Sequence, residues 1–259
     1  MVIDTHCHLN DEQFENDYEN IIKEAKNNNL CALIVVGSNL QTSKKAIELA
    51  NKYDNVFAII GTHPEEVDEF DNEAIKFYKE NSTNNKVVAI GEIGLDYHYS
   101  QDNKEKQKQV LISQIKLAYE CKLPICFHLR DAYLDFLQIL NENKQYLTYG
   151  GVIHCFSGSL EYAKEMLKFS FKLGLDGPLT FKNNKKAVDI VNQLPLDCFV
   201  VETDCPYLSP EPVRGTRNEP KNVNYIVNKI AQIKNMPQNL VESILVENSK
   251  CLYPKLKIK

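Results

Sequence analysis

Val87-Val88-Ala89-Ile90-Gly91-Glu92-Ile93-Gly94-Leu95-Asp96-Tyr97 is the stretch from which the fold can be read. Its apolar start, rich in Val and Ile, reads as a strand buried on both faces, as in a parallel sheet covered by helices. The run is expected to end near Gly91 and to deliver a carboxylate, Glu92, at the strand end. Outward from it the pattern recurs: strands are expected to end near Thr5, Val36, Ile60, Gly91, His128, Cys155, Leu175 and Thr203. Between them lie stretches such as Tyr18 to Asn28, Glu105 to Glu120 and Ala132 to Asn143, whose apolar residues recur at the three- and four-residue spacing of a helix. Eight strand–helix pairs in 259 residues imply a single (β/α)8 TIM barrel, one domain spanning residues 1–259. Pro237 to Leu252 is expected to form an additional C-terminal helix covering the barrel.

An open doubly wound sheet also alternates strands and helices, but it usually places a glycine-rich phosphate loop after an early strand, and this sequence has none. The polar residues separate the two architectures further. His6, His63, Glu92, His128, His154 and Asp204 all fall at or just beyond expected strand ends. A closed barrel gathers those ends on one rim, where its active site lies.

Composition narrows the class. A formal net charge of −5 argues against a protein that coats nucleic acid through a broad basic surface, though not against a small, locally positive site. The eight cysteines form no C-x-x-C pair and no compact disulfide framework, so a reducing compartment is expected. The N-terminal residues lack the basic and apolar regions of a signal peptide, and no stretch approaches the roughly 18 apolar residues of a membrane span. The expectation is a cytoplasmic protein with no membrane association and no obligate protein partner.

Chemistry concentrates in a few motifs. In Asp4-Thr5-His6-Cys7-His8 the two histidines are two apart on a strand end, so their rings point to one side and can chelate one metal; the alternative is a pair of surface or hydrogen-bonded histidines. A buried, ionised Glu92 is costly unless a cation meets it, either an arginine or bound metal. Pro124-Ile125-Cys126-Phe127-His128 and Gly151-Val152-Ile153-His154 are apolar strands that each end in histidine. Val200-Val201-Glu202-Thr203-Asp204 ends the eighth strand with carboxylates two apart, which places both on one side.

Together, His6-Cys7-His8, Gly61-Thr62-His63-Pro64, Gly91-Glu92-Ile93-Gly94-Leu95-Asp96-Tyr97, His128-Leu129-Arg130, His154-Cys155-Phe156-Ser157-Gly158, Glu202-Thr203-Asp204-Cys205-Pro206-Tyr207-Leu208 and Arg214-Gly215-Thr216-Arg217-Asn218-Glu219-Pro220 resemble the TatD family of metal-dependent hydrolases. The likeness runs in order over nearly the whole chain. It implies an amidohydrolase-like barrel and a deoxyribonuclease of the 3'-5' exonuclease type acting on single-stranded DNA ends, with two divalent ions per chain, magnesium, manganese or zinc. By the resemblance, His6, His8 and Asp204 ligate one ion, and Glu92 bridges to a second ion held by His128 and His154. Many binuclear amidohydrolases bridge with a carboxylated lysine instead; Glu92 in that place favours the TatD branch. His63 is expected to contact substrate phosphate, and His98 to lie exposed or at the substrate rim.

Two ions about 3.5–4 Å apart can share a hydroxide, lower its pKa and clamp the attacking and leaving oxygens of a phosphoryl displacement. Asp204 is then expected to position the water and take its proton. Glu202 is expected to orient a ligand histidine or substrate. Arg130, Arg214 and Arg217 are expected to grip phosphates with their forked guanidinium groups. The same site can attack an ester, and TatD-like deacylases of D-aminoacyl-tRNA are known, so aminoacyl-tRNA is the alternative substrate. A non-catalytic metal-binding accessory protein is a second alternative, against which the full ligand set weighs. Cys7, Cys155 and Cys205 each adjoin an expected ligand and are read as small packing residues.

Overall fold

Eight parallel strands run in sequence order around one sheet in the computed structural model, which describes residues 1–98 and 102–258. They are β1 (Val2–Cys7), β2 (Leu30–Val36), β3 (Val56–Ile60), β4 (Val87–Asp96), β5 (Ile125–Arg130), β6 (Gly151–Ile153), β7 (Phe171–Leu175) and β8 (Phe199–Val201). The sheet curls until its ends meet. Beyond β8 the Asp204 N–H donates to the His6 carbonyl at 2.9 Å, and the His8 N–H donates to the Cys205 carbonyl at 2.8 Å. The architecture is the expected (β/α)8 TIM barrel.

Both faces of the strands are buried, which is why they read as nearly continuous apolar runs. Ile3, Ile34, Phe57, Ile59, Val152 and Val200 share one buried cluster with Tyr253 and Leu256 of the C-terminal segment. Their neighbours on the opposite faces, among them Val2, Leu33, Val56, Phe127 and Leu173, share another with the surrounding helices.

Those helices are α1 (Tyr18–Asn27), α2 (Leu40–Lys52), α3 (Asn72–Asn81), α4 (Lys104–Cys121), α5 (Tyr133–Glu142), α6 (Leu160–Leu167), α7 (Lys185–Gln193), α8 (Val223–Lys234) and α9 (Gln238–Leu252). The expected helices are present to within one residue at each end. Local chemistry sets some of these boundaries: α2 begins in a reciprocal cap, with Asn39 and Thr42 each bonding the other's backbone N–H. The expected extra helix is α9; it packs on β1, β8 and α8, and its Val246 and Leu252 join the cluster around Tyr253. No helix among the described residues is long and apolar enough to cross a membrane.

Five strand ends differ from expectation, with β1 and β5 each running two residues further, to Cys7 and Arg130. β4 does not stop near Gly91 but shifts register between Ile90 and Ile93 and continues, with Gly94 opposite His128 and Asp96 opposite Arg130. Gly94 makes that extension possible, since a Cβ there would lie 1.7 Å from the His128 carbonyl oxygen. β6 and β8 stop early, at Ile153 and Val201, and the chain turns through left-handed backbone at Cys155 (φ 44°) and Asp204 (φ 54°). Such conformations cost non-glycine residues roughly 1–3 kcal/mol and gather at functional sites.

Candidate metal centre

His6, Glu92 and His128 on β1, β4 and β5, with His8, His154 and Asp204 just beyond the ends of β1, β6 and β8, bring the six expected ligands together around Glu92. His6 on β1 and His8 just after it aim their Nε2 atoms at each other, 3.2 Å apart. Asp204 Oδ1 lies 3.3 Å from His8 Nε2 and 3.7 Å from His6 Nε2. Across the rim, His128 Nδ1 and His154 Nε2 are 3.1 Å apart. Glu92 stands between the two groups. Its Oε2 faces His6 at 3.3 Å and His8 at 3.9 Å, whereas its Oε1 faces His128 at 2.7 Å and His154 at 2.6 Å. Asp4 ties the closing seam beneath: its carboxylate accepts from the Thr203 N–H at 2.9 Å and the Thr203 hydroxyl at 2.6 Å.

Electrostatics fit a cation here. When two ring nitrogens face each other, at least one presents a lone pair, and a divalent ion satisfies both. Burial, aided by His154, holds the His6 imidazole down at about 4, so it stays neutral with its lone pair available. Burial also disfavours a charged His154, but the Glu92 carboxylate outweighs it and pushes the imidazole up to about 10. Burial alone would raise Glu92; His154 and His6 instead hold it well below the usual carboxylate range. Burial likewise opposes ionisation of Asp204, but the His8 hydrogen bond together with the charges of His154, His8 and His6 more than offsets it. The centre therefore holds anionic carboxylates and a proton that a metal would displace. Three overlapping trios, His6–Glu92–His154, His6–His8–Asp204 and His63–Glu92–His128, each bring ligand atoms within 4.8 Å of one another.

Of the other expected site residues, His63 and Arg130 line the cleft above the centre. His63 Nε2 is 3.7 Å from Glu92 Oε1, and its Nδ1 accepts the Glu65 N–H at 3.2 Å. Glu202 does not line the cleft. It is buried behind His154, accepting the Cys155 N–H at 2.6 Å and the Thr5 hydroxyl at 3.3 Å, and burial pushes its carboxyl up to about 8. It lies 3.7 Å from His154 Nδ1, on the side that could orient that ring.

Arg214 and Arg217, expected to grip phosphates, are not brought to the cleft that His63 and Arg130 line. Arg217 is held by Asp17, with contacts of 3.1 and 2.6 Å, by the Gln13 carbonyl at 2.6 Å and by Glu219 at 3.4 Å, and it stacks on Phe14. Its fork is spent joining the loop after β8 to the start of α1. Arg214 is largely exposed, lying over the Phe181 ring and 4.0 Å from Glu211. His98 is exposed, with Nδ1 2.9 Å from Asp131 Oδ2. Cys7 and Cys205 are buried and Cys155 partly so, in keeping with packing.

Asp96 was not expected in the site, yet it lines the cleft and contacts His128 Nε2 at 2.8 Å. The available signal was the alternation Glu92, Gly94, Asp96, which on a longer strand puts a second carboxylate beside the first.

Comparison with known proteins agrees with this geometry. The family model described as TatD related DNase matches residues 3–254. The chain is 45% identical over 253 residues to the uncharacterized metal-dependent hydrolase YabD of Bacillus subtilis, covering 98% of this chain and 99% of that protein. It is 32% identical over 257 residues to YcfH of Escherichia coli K12, also named an uncharacterized metal-dependent hydrolase, covering 98% and 96%. Among solved structures, the TatD homologue YJJV of Escherichia coli K12 superposes with a TM-score of 0.91 at 28% identity, covering 98% of each chain. A rim that converges four histidines and two carboxylates, on a barrel matched from end to end by these relatives, places the chain in the TatD family of metal-dependent hydrolases.

Proposed function

We propose that this chain is a deoxyribonuclease of the 3'-5' exonuclease type that binds two divalent ions, one between His6, His8 and Asp204, the other between His128 and His154, with Glu92 bridging. The observation that carries this reading is the division of Glu92, one carboxylate oxygen toward each histidine group. When bound, such a pair supplies an acidified water and a clamp for the attacking and leaving oxygens of a phosphodiester. The cleft of about 420 Å³ also carries Asp11, Glu65 and Glu66 on its walls, so a phosphate is repelled there until cations neutralise it.

The chain's own residues then have separate tasks. Asp204, at the mouth and held ionised, accepts the proton of the attacking water. Because His63 Nδ1 accepts the Glu65 N–H, its neutral ring carries a proton on Nε2 and presents a donor to a phosphate oxygen. Burial, with His128 nearby, keeps that ring neutral by lowering its pKa to about 3. Arg130 adds a positive charge on the cleft wall. Glu202 orients His154 from behind.

The test is activity of chelator-stripped protein reloaded with manganese, cobalt, magnesium or zinc, on end-labelled single-stranded DNA and on D-aminoacyl-tRNA in parallel. Stepwise shortening of the DNA, with two metal equivalents bound, is expected. Release of the amino acid without DNA cleavage would assign the deacylase reading instead, and full activity at one equivalent would overturn the two-ion site.

A further inference from the structure

We infer that Asp96 is the positioning residue that fixes the ring of His128, holding its Nδ1 lone pair toward the second metal position. The inference rests on the reading of His128 and His154 as ligands of that ion. The His128 ring is gripped from both ends: Nδ1 is 2.7 Å from Glu92 Oε1, and Nε2 is 2.8 Å from Asp96 Oδ2. An ionised carboxylate only accepts hydrogen bonds, so the proton facing Asp96 belongs to Nε2. By the same argument Nδ1, facing the ionised Glu92, carries a proton in the metal-free chain; an ion there would displace that proton, and with Nε2–H kept on Asp96 the Nδ1 lone pair would point at the second metal position, beside His154 Nε2 3.1 Å away. This is the carboxylate–histidine–metal arrangement, in which the outer carboxylate sets tautomer and ring direction and makes the histidine a better donor.

Asp96 is itself held on three sides. Its N–H donates to Gln107 Oε1 at 2.9 Å, its carbonyl accepts from Gln107 Nε2 at 2.9 Å, and its Oδ1 accepts the His98 N–H at 2.8 Å. The carboxylate is buried, so removing it leaves the His128 Nε2–H without this partner. His154 is held differently. Its Nδ1 is buried without a hydrogen-bond partner, with Glu202 3.7 Å away, and its ring stacks on His6 at 4.1 Å. The effect of Asp96 is therefore directed at His128 and at the ion it shares with His154.

Zinc titration calorimetry on the chelator-stripped full chain, comparing wild type with Asp96→Ala and Asp96→Asn, provides the test. Asp96→Ala is expected to weaken one of two zinc sites by the 10–100-fold typical of such outer carboxylates while changing the other little. Asp96→Asn is expected to recover most of that loss, because its amide oxygen still accepts from Nε2–H. Nitrogen-15 spectra of the zinc-loaded wild type and Asp96→Asn give a readout that does not depend on whether Asp96→Ala folds: the His128 proton is expected on Nε2. A proton on Nδ1, or equal zinc affinities in wild type and Asp96→Ala, would overturn the role of Asp96 while leaving the two-ion site intact. Loss of one site in both variants would make Asp96 a direct ligand and overturn it too. Wild-type saturation at one zinc would overturn the two-ion reading itself.

Discussion

Replacing Glu92 with glutamine removes one negative charge and little volume at the one point that both histidine groups share. In the metal-free chain Glu92 helps raise His154 from 6.5 to about 10. At pH 8 the whole of that shift contributes about 3 kcal/mol to stability. Asp204 and Glu202 contribute to the same shift, so Glu92→Gln costs less than this, and for a chain of this length its metal-free melting point should fall by less than about 10 °C. The metals report more sharply. At a free metal concentration of about 100 Kd, each filled site adds about 2.7 kcal/mol, and a hundredfold loss of affinity cuts that to about 0.4 kcal/mol. Wild type should therefore gain several degrees in melting point on adding metal, and Glu92→Gln should gain almost none, with the proposed nuclease activity reduced at least 10–100-fold. Metal analysis and melting curves with and without metal suffice. A variant that keeps two metals and the wild-type melting gain would refute a bridging Glu92.

Further expectations follow from the same geometry. Since His154 must lose its proton to ligate, metal affinity at its site should rise about tenfold per pH unit between about pH 7 and 9, read by titration at several pH values; a flat profile counts against His154 as a ligand. Conversely, its raised pKa stabilises the metal-free fold fully below about 6.5, and that contribution should disappear as pH rises through about 10. Arg217→Ala should lower stability by about 1–2 kcal/mol through loss of the Asp17 and Gln13 contacts while leaving KM for oligonucleotide unchanged; a higher KM with unchanged melting would return this arginine to the substrate. Gly94→Ala should force β4 away from β5 at His128, costing about 3 kcal/mol or more together with metal affinity, and melting with metal titration would show whether it does.

The barrel, its strand and helix periods and the gathering of His6, His8, Glu92, His128, His154 and Asp204 were legible from residue order alone. Those features are local: a strand buried on both faces must be apolar, and a polar residue at its end must emerge on the rim. Even the pairing of His6 with His8 needs only the two-residue repeat of a strand.

Other features depend on register between elements distant in sequence. Arg217 looks available for phosphate until α1 brings Asp17 against it, 200 residues away. Glu202 and Asp204 share a side in an ideal strand, but β8 ends at Val201 and the left-handed turn at Asp204 sends one carboxylate behind His154 and the other to the mouth of the cleft. Asp96 stands in the motif that reveals the fold, yet its contact with His128 exists only because β4 shifts register after Ile90 and stays paired with β5 through Gly94. Residue types along the chain therefore determined the architecture and the inventory of candidate ligands. Which atom faces which partner was decided only in the tertiary structure, because a shift of one residue in strand pairing turns a side chain to the opposite face.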